Sequence, residues 1–266
     1  MSMADAARGN GRMYAAIIER VFQARWKRGA KRVEFHRSDI EGVAADLGVA
    51  LPKNLGDLIY SFRFRRKLPA SILAAAPPGM EWIIELAGNS TYRFSLARAS
   101  HILPQPALAC IEIPDATPEI VLRYSQSDEQ ALLAKLRYNR LIDIFLGIAT
   151  YSLQNHLRTS KRAEHGRTQI EIDELYVGID VEGEHFVVPV QAKVGADRIG
   201  IVQTQQDVQF CAERFPDLKC RAVAAQSIDG GAIALFELVL RGDELLVKQE
   251  RHYRLVDVER YSATNR

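Results

Sequence analysis

The first sustained apolar stripe spans 12–28, where Ile17, Ile18, Val21, Phe22 and Trp26 recur at helical spacing and basic residues gather at the end. Ser38-Asp39 then precedes IEGVAADLG, which predicts a short amphipathic helix with a capping Ser or Asp and a terminal glycine. After a turn at 49–52, a third stripe predicts a helix over 53–67. Leu55, Leu58, Ile59 and Phe62 face a core there, while Arg63, Arg65, Arg66 and Lys67 accumulate at its end. Strict alternation replaces the stripe at 81–87 and 91–96, and Gly88-Asn89-Ser90 between them predicts a hairpin. Pro104, Pro106, Pro114 and Pro118 interrupt every pattern across 101–119, because proline breaks helices and central strands. The chain is therefore divided into 1–100, a proline-rich connection over 101–125, and 126–266.

The second half opens on a capping box, Ser127 followed three residues later by Gln130. A long apolar-periodic stretch from there to Arg158 predicts a helix bent near Gly147, and a basic, glycine-containing loop is expected at 159–168. Strands are predicted at 169–180 and 185–193 around a turn at Glu182-Gly183, then a helix at 200–214. A strand at 219–228 and a hairpin through 232–240 and 244–249 complete the order. Helix, hairpin, helix, strand predicts an α+β or α/β fold with a mixed sheet.

Composition removes several classes. Hydrophobic residues make up 47% and charged residues 26%, too apolar for a disordered chain. No apolar run approaches the ~20 residues that cross a bilayer, and the start lacks a secretory apolar core. Three cysteines, Cys110, Cys211 and Cys220, make an odd count without CxxC spacing, so a disulfide framework or Cys-rich zinc site is not expected and a reducing, cytoplasmic setting is. The net charge of +2 conceals an asymmetry. Residues 1–100 hold 16 Lys and Arg against 9 Asp and Glu, and residues 101–266 hold 19 against 24. A basic half points to a polyanionic partner.

The order helix, short helix, turn, helix, hairpin in that basic half resembles a winged helix-turn-helix. Small Ala44 and Ala45 would let two helices approach, and Gly48 would support the bend. The resemblance implies double-stranded DNA as partner, with the 53–67 helix in the major groove. Lys53, Asn54, Arg63, Arg65, Arg66 and Lys67 become its contacts, helped by Arg28 and Lys31 and their neighbours Arg25, Lys27 and Arg32.

The candidate chemistry lies in 169–193, QIEIDELYVGIDVEGEHFVVPVQAK. Phe186, Val188, Val190 and Ala192 take one face of the second strand, while Gln191 and Lys193 share the other. A lysine ending an otherwise apolar strand suggests that it meets a carboxylate, a metal-bound water or a phosphate. Asp173 within IEIDELYVG and Gln191-Ala192-Lys193 within FVVPVQAK resemble the motif of the PD-(D/E)xK nuclease superfamily, and the subgroup they look most like is the type II restriction endonucleases. The resemblance covers roughly 128–228 and implies an αβββαβ core, Mg²⁺ as cofactor, hydrolysis of DNA phosphodiester bonds and a homodimer that cuts both strands.

Gln191 departs from the acid usual at its position, since an amide oxygen binds a cation without supplying charge. A second carboxylate is then required. Glu171, two residues before Asp173, is the first choice; Glu174 and Asp180 are less well placed, and Asp143 is the acid that the preceding helix would contribute. In this scheme Asp173, Glu171 and Gln191 hold the metal, and Lys193 orients water and neutralises the phosphate. The competing reading is a DNA-binding regulator whose second half senses a ligand or dimerises without cutting.

Overall fold

A computed structural model of the chain describes residues 3–51, 55–98, 102–125, 127–163, 166–195, 199–241 and 244–257. The chain divides into two compact units, Met1–Ser100 with Ser160–Thr168, and His101–Thr159 with Gln169–Arg266.

In the first unit, α1 (Met3–Arg25) buries Ile17, Ile18, Val21 and Phe22 of the predicted stripe, and Trp26, just past its end, is half-buried. Its Phe22 ring packs edge-on against Trp82 and Phe94, with centroids 5.2 and 5.0 Å away. Residues 32–36, unassigned from sequence, form β1 (Arg32–His36), because Val33 and Phe35 alternate into the core. The next helix, α2 (Arg37–Asp46), is capped by His36 rather than by Ser38 or Asp39. The His36 ring accepts the Ser38 N–H, and Asp39 reaches back from the third position to accept the His36 N–H at 2.6 Å.

The predicted third helix is α3 (Leu55–Tyr60), which widens into a π-helical turn at Ser61–Arg65. Leu55, Leu58, Ile59 and Phe62 are buried as the stripe required. A short α4 (Ala70–Ala74), not expected from sequence, precedes the hairpin of β2 (Met80–Gly88) and β3 (Thr91–Arg98). β3 lies between its partners, antiparallel to both, in the order β1-β3-β2.

Beyond residue 100 three expectations are corrected. The proline-rich connection contributes β4 (Cys110–Pro114) and α5 (Glu119–Tyr124). β4 is an edge strand ending on Pro114, a place where a missing N–H is tolerated. The long helix is three elements: α6 (Asp128–Tyr138), α7 (Leu141–Leu146) and the start of β5 (Ala149–Ala163). Gly147 at φ 68° takes the left-handed cap conformation, donates to Asp143 O, and stops the helix. The basic loop, so far as it is described, is strand, with β5 running to Ala163 and β6 (Gly166–Ile179) beginning soon after.

Then follow β7 (His185–Lys193), α8 (Ile201–Arg214), the two-residue β8 (Lys219–Cys220), β9 (Ala222–Ile228), β10 (Ala232–Arg241) and β11 (Glu244–Val256). Among the described residues eight strands form one mixed sheet, β4-β11-β10-β9-β7-β6-β5, with β8 beside β7. β7 runs antiparallel to β6 and parallel to β9. Two cores result. Phe186, Val188, Val190 and Ala192 pack with α6 and α7, while Val187 joins Cys211 of α8 and Ile172 of β6 in the other. β7 is thus covered on both faces, as a central strand beside a parallel neighbour must be. Among the described residues no helix is long and apolar enough to cross a membrane.

Candidate active site

The antiparallel ladder of β6 and β7 brings Glu174 opposite Val190. One step beyond it, the Ala192 N–H donates to Asp173 Oδ2 at 2.8 Å. Ala192 lies between Gln191 and Lys193, so this bond fixes the Asp173 carboxyl beside the triplet. Gln191 and Lys193 point to the face that α8 covers. There Gln191 Nε2 donates to Asp207 Oδ2 at 2.7 Å and approaches Thr204 Oγ1 at 3.5 Å. All four side chains of this group are buried: Gln191, Lys193, Thr204 and Asp207.

Burial pushes the Asp207 carboxyl up to about 8; the Gln191 amide and the Lys193 charge oppose the rise, and neighbouring Asp173 adds to it. Asp173 is raised as well, by burial first. Lys193 and the Ala192 N–H pull it back, and Glu171 pushes it further up. Lys193 acts electrostatically on both carboxyls, lowering each. Within this group two buried oxygens have no hydrogen-bond partner, Gln191 Oε1 and Asp207 Oδ1. Such unpartnered buried oxygens are rare, and once Asp207 is ionised the pair offers a place for a donor or cation.

Asp207 is not among the candidates named from sequence; in the 200–214 helix it stands beside Gln203, Gln205 and Gln206, whose polarity suggests a solvent-facing side. The signal was present. Thr204, Asp207 and Cys211 follow the i, i+3, i+7 spacing of one stripe, and all three are buried.

The acids named from sequence are disposed differently. The Glu171 carboxylate accepts from Arg158 at 2.6 and 3.0 Å, so its charge is already answered, though it lies within electrostatic reach of Asp173. Glu174 is wholly buried and receives Arg137 at 2.8 Å and Ser152 at 2.9 Å. Asp180 accepts the N–H groups of Glu182 and Glu184 and shapes the β6–β7 turn. Asp143 is not brought to Asp173: its oxygens take the N–H and hydroxyl of Thr150 and the Arg140 guanidinium, joining α7 to β5. Among the described residues no three His, Cys, Asp or Glu side chains converge as a metal cluster. The available oxygen donors are therefore two carboxylates, Asp173 and Asp207, with the Gln191 amide.

Of the residues expected to meet DNA, Arg28, Lys31, Arg66 and Lys67 are exposed. Arg63 is placed differently. Its Nε is shielded from solvent, and burial lowers its guanidinium to about 10 while Tyr92 and Glu85 hold its charge. It is engaged inside the first unit. Arg65 ends the π-helical turn, Arg25 is paired with Asp39 at 2.7 Å, and Lys53 and Asn54 lie outside the described residues.

No family model, no curated protein and no solved structure matches this chain.

Proposed function

We propose that the protein is a divalent-metal-dependent endodeoxyribonuclease that hydrolyses phosphodiester bonds of double-stranded DNA, acting in the cytoplasm as a homodimeric type II restriction endonuclease. The observation that carries this reading is the convergence of Asp173, Gln191 and Lys193 through the Asp173–Ala192 bond, with Asp207 supplying the carboxylate that Gln191 lacks. The order α6/α7, β5, β6, β7, α8, β9 supports it, since helix, three strands, helix, strand is the core that the superfamily resemblance implies. In the first unit, α1, β1, α2, α3, the short α4, β2 and β3 with the sheet order β1-β3-β2 support a winged-helix DNA-binding module.

Mg²⁺ suits the donor set. Hard oxygens from Asp173, Asp207 and the Gln191 amide match its preference, and two of those oxygens are orphaned without it. When bound, the metal lowers the pKa of a water and offsets phosphate charge. Lys193 donates to the phosphate or to the attacking water and holds it in line, and the buried walls keep that ammonium's field unscreened. No side chain has to form a covalent bond to the phosphate.

A non-catalytic DNA-binding regulator is the second reading, favoured by the Gln191–Asp207 bond, which leaves the pocket partly self-satisfied. Incubation with mixed-sequence plasmid and Mg²⁺ separates the two. Linear products with defined ends, abolished by EDTA, support the nuclease. DNA retention without scission at any divalent-metal concentration supports the regulator.

A further inference from the structure

β5 ends the strand order of the large sheet, and from Ala149 to Leu157 its sequence holds no Asp, Glu, Lys or Arg. Edge strands are ordinarily guarded by such charges, because an open row of N–H and C=O groups pairs with any strand that meets it. This edge instead exposes Tyr151 by 62% and Leu153 by 50%. The two lie two residues apart and share a face. At the same end of the sheet Ile144, Ile179 and Val181 are also exposed, around a cleft of about 420 Å³ that Ile148 and Ala149 help to line. The acids bordering that cleft are already engaged, Asp143 by Thr150 and Arg140 and Asp180 by its own turn. Apolar surface concentrated in this way marks an interface.

We propose that 149–155 of β5 is a homodimer interface, in which two copies pair antiparallel across a two-fold axis at Ser152 while the Thr150 N–H stays on Asp143. Three observations choose a second copy as occupant. Antiparallel pairing of one strand with itself is self-complementary, as a two-fold contact must be. With the axis at Ser152, Tyr151 of each copy lies opposite Leu153 of the other, so the two exposed apolar side chains cover one another; the Ser152 hydroxyl points to the other face, where it bonds Glu174. Finally, no Asp, Glu, Lys or Arg stands on 149–157 itself, and the Arg137 and Arg140 guanidiniums beside it are paired with Glu174 and Asp143, so no unpaired charge opposes its own copy. The paired segment is about 23 Å long at the usual strand rise. It stops where His156, at φ 47°, breaks the regular strand. The inference rests on the reading above only for its purpose: a two-fold dimer presents one cleavage centre to each strand of a duplex.

The test is sedimentation of the full chain over a concentration series. The wild type is expected at twice the mass of one chain. Leu153→Lys and Tyr151→Lys, both at exposed positions, are each expected to raise the dimer dissociation constant at least about tenfold while leaving the melting temperature of the monomer unchanged. The double variant Tyr151→Lys/Leu153→Glu sets an ammonium opposite a carboxylate in the proposed register, and is expected to restore the dimer in a salt-sensitive form. A monomeric wild type overturns the proposal. A dimer that survives both single variants overturns the surface while leaving a dimeric enzyme intact. Loss in the single variants without restoration in the double overturns the register. A dimer that obeys all three variants yet cuts no DNA supports the interface and refutes the nuclease reading alone.

Discussion

Asp207 is the residue whose environment departs furthest from that of a carboxyl in water. Its proton affinity rises from the ordinary 3.8 to about 8 because it is buried, against the pull of Gln191 and Lys193. A carboxyl raised on folding stabilises the fold fully below its unfolded value and loses that contribution as pH climbs through the folded one. The wild type, kept in EDTA, should therefore lose stability between about pH 4 and pH 8, on the order of a few kcal/mol. Asp207→Asn keeps the shape and the acceptor for Gln191 but has no proton to lose. Its melting temperature should match the wild type near pH 4 and exceed it at pH 8.5. Parallel melting curves across that range would show Asp207 ionised at ordinary values and remove the electrostatic account of the pocket. Arg63 teaches the same lesson in reverse: its position in a basic run suggested a DNA contact, yet Glu85 and Tyr92 hold it within the first unit.

At the scale of elements, Asp143 joins α7 to β5 through the Thr150 N–H at 2.7 Å and its hydroxyl at 3.0 Å. Asp143→Ala should lower stability by about 1–3 kcal/mol, the cost of leaving a buried backbone donor unpaired. Cleavage per folded molecule should stay within about twofold, unlike the loss typical of a transition-state donor. A stable but inactive Asp143→Ala protein would return this acid to the catalytic centre. The same junction explains what the sequence concealed. Leu146, Leu153 and Leu157 mimic a helical stripe through the junction, and only the left-handed Gly147 reveals that the backbone changes from helix to strand. β4 was hidden by its prolines, which an edge strand accommodates, and β1 by its charged alternate residues. The β6–β7 hairpin was legible because apolar alternation on β7 agrees with two covered faces. Of the site, Gln191 and Lys193 could be read from strand pattern and Asp173 from the motif resemblance. Asp207 could not, because a polar side chain facing inward from a helix looks like surface until its neighbours are known.

For the whole molecule, charge is the property that separates the two halves of the sequence. The first hundred residues carry a net +7, from 16 basic against 9 acidic residues. Arg66 and Lys67 are exposed just beyond the π-helical turn. If they contact phosphates, Arg66→Ala/Lys67→Ala should weaken duplex binding and reduce the log–log salt slope by about two units, measured in Ca²⁺ to prevent cutting. Unchanged affinity and slope would remove that segment from the DNA interface. The central claim is that one buried cluster on β6, β7 and α8 cuts DNA. Its most direct measurement is plasmid cleavage in Mg²⁺ by wild type, Asp173→Asn and Lys193→Ala, purified identically and checked for duplex affinity in Ca²⁺. The account predicts that the wild type cuts, that both variants bind DNA as well as it does, and that each loses at least about two orders of magnitude in rate. Cleavage at the wild-type rate by either well-folded variant would contradict it.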